Sequence, residues 1–158
     1  MPFAETAHCK IYYETHGDAA HPAVVLAHGR GGNAASWFQQ VPAFVEAGYH
    51  VVVFDHRCFG RSYCPPEHFD RGEFANDLAA VLDAAGVAKA AIVCQSMGGW
   101  TGLRLTIERP ERVSALVLSN TTAGVSTAAA DAAVNEARKA FADHGIAASA
   151  VAPDFPKR

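Results

Sequence analysis

Short apolar runs separated by helical patterns constrain the fold of this chain more than any other feature. The runs are AVVLAH (23–28), VVVFD (51–55), AAIVC (90–94) and VSALVLS (113–119). They are rich in β-branched residues and have the length of strands that are covered on both faces. Helical patterns lie between them. The alternation predicts an α/β fold, with a mostly parallel sheet flanked by helices.

The flanking segments add a hairpin and three helices to this prediction. FAET and CKIYYET, ahead of the first run, are typical of an opening β-hairpin. The helical segments have start and stop signals at their ends. These signals are Pro42 and Gly48, the capping pair Asp70 and Glu73 with Gly86, and the breaker Arg109-Pro110.

The composition changes after Ala123. The segment TAAADAAVNEARKAFADHG (127–145) is Ala-rich and helical in pattern, and VAPDFPKR (151–158) has the composition of a loop. The sequence therefore predicts a core over residues 1–123 and a different kind of segment over residues 124–158.

Charge and hydropathy argue against several classes of partner. The net charge is −3, and no Lys/Arg cluster forms a basic face for nucleic acid or an anionic membrane. The apolar runs are too short to span a bilayer. MPFAETAHCK has Glu5 and Lys10 where a signal peptide needs an apolar core. These features predict a cytoplasmic protein that binds neither nucleic acid nor membrane.

The cysteines carry no metal-binding signature. Cys9, Cys58, Cys64 and Cys94 show no C-x-x-C spacing, so no metal site is expected. Free, mostly buried thiols are the expectation. Pairing of Cys58 with Cys64 under oxidation is the alternative.

A serine stands where the run 90–94 meets a helical pattern, in the string CQSMGG. A sharp strand-to-helix turn needs small residues two positions before and two after its serine, and Cys94 and Gly98 meet that need. Ser96 could instead cap the helix. A cap leaves the Gly98-Gly99 pair unexplained, because each glycine costs about 1 kcal/mol in a helix. The pattern favours Ser96 as a nucleophile.

A Gly-rich loop, HGRGG, follows the first run. Such a loop leaves backbone N–H groups free to hold a developing oxyanion. The N–H of Arg30, together with that of Met97, would make a two-donor oxyanion hole. A phosphate-binding loop is the alternative, but the required glycine and lysine spacing is absent.

Four motifs taken in order resemble the α/β-hydrolase superfamily: HGRGG, DHRCFGRS (55–62), CQSMGGW and RPERVSALVLSNTT (109–122). The last two are most similar to its enol-lactonase and small-ester-hydrolase branch. The resemblance implies the α/β-hydrolase fold, a nucleophile at Ser96, oxyanion N–H groups at Arg30 and Met97, and no cofactor. Gly29 and Trp100 are the expected substrate contacts, and Trp37 is a further candidate pocket wall.

This chain departs from the family pattern at two small residues. Cys94 and Cys58 stand where the family usually has glycine. The serine at position 96 argues against the dehalogenase and epoxide hydrolase branches, whose members use aspartate there.

The general base that a serine nucleophile needs is not evident. In the family an acid and then a histidine follow the serine, whereas after Ser96 this sequence has His144, which is expected at the surface. His56 starts about 10 Å from Ser96, and His28 is read as structural. The resemblance therefore implies that the family's last strands are missing here and that residues 124–158 begin a lid.

We therefore expect a hydrolase of a small carboxylic ester or lactone, with the 158-residue chain alone inactive or very weak. Two alternatives stay open. One is cofactor-free haloperoxidase activity. The other is a non-catalytic α/β-hydrolase-like fragment that associates with itself or with a complementing C-terminal segment.

Overall fold

The computed structural model describes residues 2–144 and contains six strands and four α-helices. The strands are β1 (Phe3–Glu5), β2 (Lys10–His16), β3 (Ala23–Ala27), β4 (His50–Phe54), β5 (Ala90–Gln95) and β6 (Val113–Ser119). The helices are α1 (Gln40–Glu46), α2 (Phe74–Ala84), α3 (Gly98–Glu108) and α4 (Ala128–His144). The predicted α/β class is confirmed.

The strands form one sheet in the order β1-β2-β4-β3-β5-β6. β1 and β2 make the expected hairpin, and β2 runs antiparallel to β4. The four strands β4, β3, β5 and β6 are parallel, with Val24 beside Val51 on one side of β3 and beside Ala91 on the other. Their carboxyl ends therefore share one edge of the sheet, where the loops that follow them meet.

Helices cover both faces of the sheet at β3 and β4, as their continuous apolar runs predict, whereas β6 was expected to be covered in the same way and is mostly exposed. Side chains such as Val25 and Ile92 pack with Leu78 of α2 and Leu105 of α3. On the opposite face, Val24, Val51 and Val53 pack with α1. The helical repeat of α2 is fully buried at Phe74, Leu78, Val81 and Leu82.

The entry to α2 differs from the prediction. Asp70 and Glu73 were expected to cap one α-helix, but the Asp70 carboxylate accepts the N–H of Gly72 (2.7 Å) and caps a single 3-10 turn, Arg71–Glu73. Glu73 instead accepts the side-chain amide of Asn76 (2.9 Å). α2 therefore begins after that turn. α1 likewise begins before Pro42, at Gln40.

The cysteine prediction is wrong for one pair. Cys9 and Cys64 are joined by a disulfide bond, while Cys58 and Cys94 are free. Lys10 and Tyr63 exchange backbone hydrogen bonds of 2.8 and 2.9 Å in an isolated antiparallel bridge. Because Cys9 precedes Lys10 and Cys64 follows Tyr63, this bridge brings their Cα atoms to 4.4 Å.

The chain separates into two compact units, Met1–Gly124 and Val125–Arg158. Residues 145–158 lie outside the described residues, and with them the predicted loop at 151–158. None of the helices described up to His144 has the length and apolar character needed to cross a bilayer. Among residues 2–144, no cluster of His, Cys, Asp and Glu could hold a metal ion.

Candidate active site

Ser96 lies in the tight turn between β5 and α3. Its φ is +50°, in the left-handed region, which costs a residue with a side chain about 1–2 kcal/mol. The backbone N–H of Ser96 donates to the carbonyl of Ser119 at the end of β6 (3.1 Å), and its carbonyl accepts the N–H of Gly99 (3.0 Å). Backbone strain of this kind persists only where the surroundings enforce it, and it concentrates at functional sites.

The two glycines after the turn permit close approaches that no side chain would allow. A Cβ at Gly98 would overlap the carbonyl oxygen of Ala27 at the end of β3, and one at Gly99 would overlap the side chain of Thr121. The turn is therefore packed between the end of β3 and the loop after β6. The close packing accounts for a glycine pair that a helix cap alone does not explain.

Cys94, which replaces the family's usual glycine, is accommodated by another glycine. A Cβ at Gly102 of α3 would overlap the Cys94 sulfur, so the missing side chain on the helix makes room for the one on the strand. Cys94 is buried, and burial raises the pKa of its thiol to about 12. A thiol in that state is protonated at neutral pH and is not a competing nucleophile.

The Gly29–Arg30 loop lies against the turn that carries Ser96. A Cβ at Gly29 would overlap the Gln95 amide and come within 3.2 Å of the Ser96 Cβ. Within residues 2–144, the backbone N–H groups of Arg30 and Met97 donate to no protein acceptor. Arg30, Met97 and Ser96 line one cavity. The structure thus brings together the three residues that the sequence assigned to attack and oxyanion binding.

This cavity has a volume of about 1000 Å³ and lies at the carboxyl edge of the sheet. Phe59, Phe69 and Trp100 give it aromatic walls, and the loop after β6 closes one side. Trp37, the other tryptophan proposed as a pocket wall, lines a separate cavity of about 410 Å³, to which the Gly29–Arg30 loop also contributes.

The segment that leads to the wall residues Phe69 and Asp70 is supported by a buried ion pair. The Arg57 guanidinium donates to both carboxylate oxygens of Asp77 at 2.7 Å and to the carbonyl of His68 at 3.0 Å. The hydrogen bonds that Arg57 donates to Asp77 raise the pKa of the guanidinium. This pair could not be predicted from the sequence, because nothing local links position 57 to position 77.

His28 and His56 form a buried cluster beside the site and do not line the cavity. The backbone N–H of His56 donates to Nε2 of His28 (3.0 Å), so the His28 ring carries its proton on Nδ1, which donates to the Gly29 carbonyl (2.7 Å). The His56 ring is hydrogen-bonded to the Thr101 hydroxyl (2.8 Å). Burial holds the pKa of both histidines below the usual range. Both rings are therefore neutral and structural.

No histidine among the described residues lines the cavity that holds Ser96. His144 ends α4, and Asp154 lies outside the described residues. The partner that would take the Ser96 proton is therefore not among the cavity residues described.

Comparison with known proteins identifies the family. The sequence profile of the alpha/beta hydrolase fold matches residues 22–155. This chain belongs to the α/β-hydrolase family.

Relatives with named activities share both sequence and fold with this chain. A protein of Variovorax paradoxus, provisionally named carbamate hydrolase RutD, is 40% identical over 114 residues, covering 70% of this chain and 42% of the relative. Est816, described as an N-acyl homoserine lactone degrading enzyme, is 33% identical with a TM-score of 0.75, over 93% of this chain and 54% of Est816. Epoxide hydrolase A from Mycobacterium thermoresistibile is 35% identical with a TM-score of 0.68, over 74% of this chain and 37% of that enzyme. The chain thus spans less than half the length of the RutD relative.

Proposed function

We propose that this chain forms the nucleophile-bearing part of a serine hydrolase acting on a small carboxylic ester or lactone. The observation that carries the proposal is Ser96 in the left-handed region, in a turn that opens on a cavity shared with Arg30 and Met97. A strained serine at a strand-to-helix turn presents its hydroxyl outward, where a carbonyl can reach it.

The mechanism begins with attack of the Ser96 hydroxyl oxygen on the substrate carbonyl carbon. The carbonyl oxygen gains negative charge, and the N–H groups of Arg30 and Met97 stabilise it without reorganising. The C–O bond to the alcohol then breaks and leaves an acyl group on Ser96. Water attacks this acyl group, and the acid is released. No cofactor takes part.

A general base has to accept the Ser96 proton and pass it to the leaving alcohol. We assign this role to a complementing C-terminal segment that supplies the acid and the histidine of the family pattern. Residues 124–158 are proposed to begin a lid. The cytoplasmic location stays a prediction.

The names of the relatives support carbonyl chemistry at this site. A carbamate, an ester and a lactone each present a carbonyl carbon to a nucleophile, and each gives a tetrahedral oxyanion that the same two N–H groups can hold. An epoxide has no such carbonyl. A serine at position 96 therefore fits the carbamate and lactone relatives better than the epoxide hydrolase.

The proposal is tested with a fluorophosphonate probe on active protein. We expect the probe to label Ser96, and Ser96→Ala to abolish both labelling and ester hydrolysis. Ser114→Ala is the matched control, because Ser114 is an exposed serine on β6, and it should change neither. Labelling that persists in Ser96→Ala, or that maps to Cys94, would show that another residue is the nucleophile.

A further inference from the structure

The arginines of residues 2–124 fall into two groups according to their partners. In the larger group the guanidinium donates to a carboxylate or a side-chain amide oxygen: Arg57, Arg61, Arg104, Arg109 and Arg112. Arg30 and Arg71 form the other group, for which no such acceptor lies among the described residues. Both of these line the cavity that contains Ser96.

Arg71 is held in place by an aromatic ring instead of an anion. Its guanidinium carbon lies 4.4 Å from the ring centroid of Trp100, a cation–π contact that leaves the in-plane N–H donors free. Trp100 is in turn fixed, because its backbone N–H donates to the Met97 carbonyl (3.1 Å) and a Cβ at Gly124 would come within 2.9 Å of its ring. The guanidinium is thus tied to the helix that follows Ser96.

The acidic neighbour of Arg71 does not neutralise it. Asp70 directs its carboxylate to the backbone N–H of Gly72 (2.7 Å), as the cap of the short turn. The described cavity wall therefore presents two guanidinium groups and one carboxylate that is already engaged. A concave surface with this imbalance attracts an anionic ligand.

We infer that Arg71, seated on Trp100, recognises a carboxylate carried by the substrate at a distance from the carbonyl that Ser96 attacks. The inference rests on the proposed function and narrows its substrate class to esters or lactones with a free carboxylate. A guanidinium fork matches a carboxylate with two parallel N–H donors, which a lysine cannot reproduce. The Trp100 ring orients the fork and limits the side-chain freedom lost on binding.

The kinetic test compares mono-p-nitrophenyl glutarate with p-nitrophenyl pentanoate, two esters of equal acyl length that differ in a terminal carboxylate or methyl group. Arg71→Gln is assayed together with the complementing C-terminal segment that supplies the base. We expect the ratio of kcat/KM for glutarate over pentanoate to fall roughly ten- to thirtyfold, the loss typical of one charged hydrogen-bonded partner. Arg71→Lys should retain part of this preference.

Arg61→Gln is the matched control. Arg61 also stacks on an aromatic ring, 4.5 Å from the centroid of Tyr12, and carries the same charge, but it does not line the cavity. This variant should leave the ratio unchanged. An equal fall in both variants would show that net charge, and not Arg71, sets the preference, and would overturn the inference.

A binding measurement separates this inference from the proposed reaction. Monomethyl glutarate is titrated calorimetrically into Ser96→Ala protein with and without Arg71→Gln. Weaker binding by a similar factor supports the carboxylate site. It does so even if the protein, assayed together with the complementing C-terminal segment, hydrolyses neither ester, in which case only the proposed hydrolysis fails. Equal affinity in the two proteins overturns the carboxylate site, whether or not Ser96 proves to be the nucleophile.

Discussion

The side chains at positions 94 and 102 are complementary in size, and this complementarity can be reversed by mutation. Cys94 fills space that Gly102 leaves open, and a methyl group at position 102 would overlap the Cys94 sulfur and lie 2.9 Å from Cδ1 of Leu116. Cys94→Gly alone leaves a void, and Gly102→Ala alone overfills the site. Together they place one small side chain in the same space, contributed by the helix.

The expected energies follow from burial, packing and propensity. Cys94→Gly removes a fully buried side chain and adds a flexible residue to a strand, which together cost about 2 kcal/mol. Gly102→Ala costs about 1–3 kcal/mol in overpacking, of which the better helix propensity of alanine offsets about 1 kcal/mol. In the double variant the overlap with the Cys94 sulfur is absent and only the contact with the flexible end of Leu116 remains, so we expect a net cost below about 1 kcal/mol. The coupling free energy between the two positions should therefore be about 2 kcal/mol.

Urea unfolding of the wild type, both single variants and the double variant measures this coupling. Cys94→Gly combined with Glu46→Ala, an exposed site on α1, is the control pair and should be additive. If the changes at positions 94 and 102 also add to within about 0.5 kcal/mol, the two side chains do not share one space. The glycine at position 102 would then not account for the cysteine at position 94.

Three further predictions concern the loop after β4, the buried histidines and the sheet edge. Cys58 has a φ of +63°, so Cys58→Gly should raise the free energy of unfolding by about 0.5–1 kcal/mol; a lower melting temperature would contradict this. Burial keeps the pKa of His56 well below 6.5. Below pH 6.5, therefore, the unfolded chain takes up a proton at His56 and the folded chain does not. The free energy of unfolding should fall by up to about 1.4 kcal/mol per pH unit as the solution is acidified. His56→Gln should flatten that slope in denaturant titrations at pH 5 to 7. β6 pairs only with β5 among the described strands, and its Val117 and Leu118 are 50% and 41% exposed. We therefore expect the chain to self-associate through this edge, and Leu118→Lys to weaken the association. A monomer in sedimentation at micromolar concentration would refute this.

The sequence could predict the features that depend on residues close together along the chain. β6 spans residues 113–119 as predicted, because a short, mostly apolar run bounded by polar residues leaves little freedom in its assignment. The turn between β5 and α3 at Ser96 could be predicted because a sharp turn needs small residues at fixed spacing, and the roles of Ser96 and the HGRGG loop stay predictions.

The features that sequence missed depend on contacts between distant segments. The Cys9–Cys64 bond follows from a backbone bridge between Lys10 and Tyr63 that neither segment encodes alone. The partnership of Cys94 with Gly102 joins a strand to a helix face, so the string CQSMGG alone does not explain why a cysteine stands at position 94. Arg71 on Trp100 needs both the short turn before α2 and the start of α3 to be in place.

The turn that carries Ser96 is enclosed by chain segments from opposite ends of the described core. Gly98 rests on the Ala27 carbonyl of β3, and Ser96 donates to the Ser119 carbonyl of β6. Neither contact exists until β3, β5 and β6 have paired, so the strained φ of Ser96 has no support in a partly folded chain. Reactivity at Ser96 would therefore emerge late in folding, and the rate at which a refolding chain becomes labelled would report when its central sheet closes.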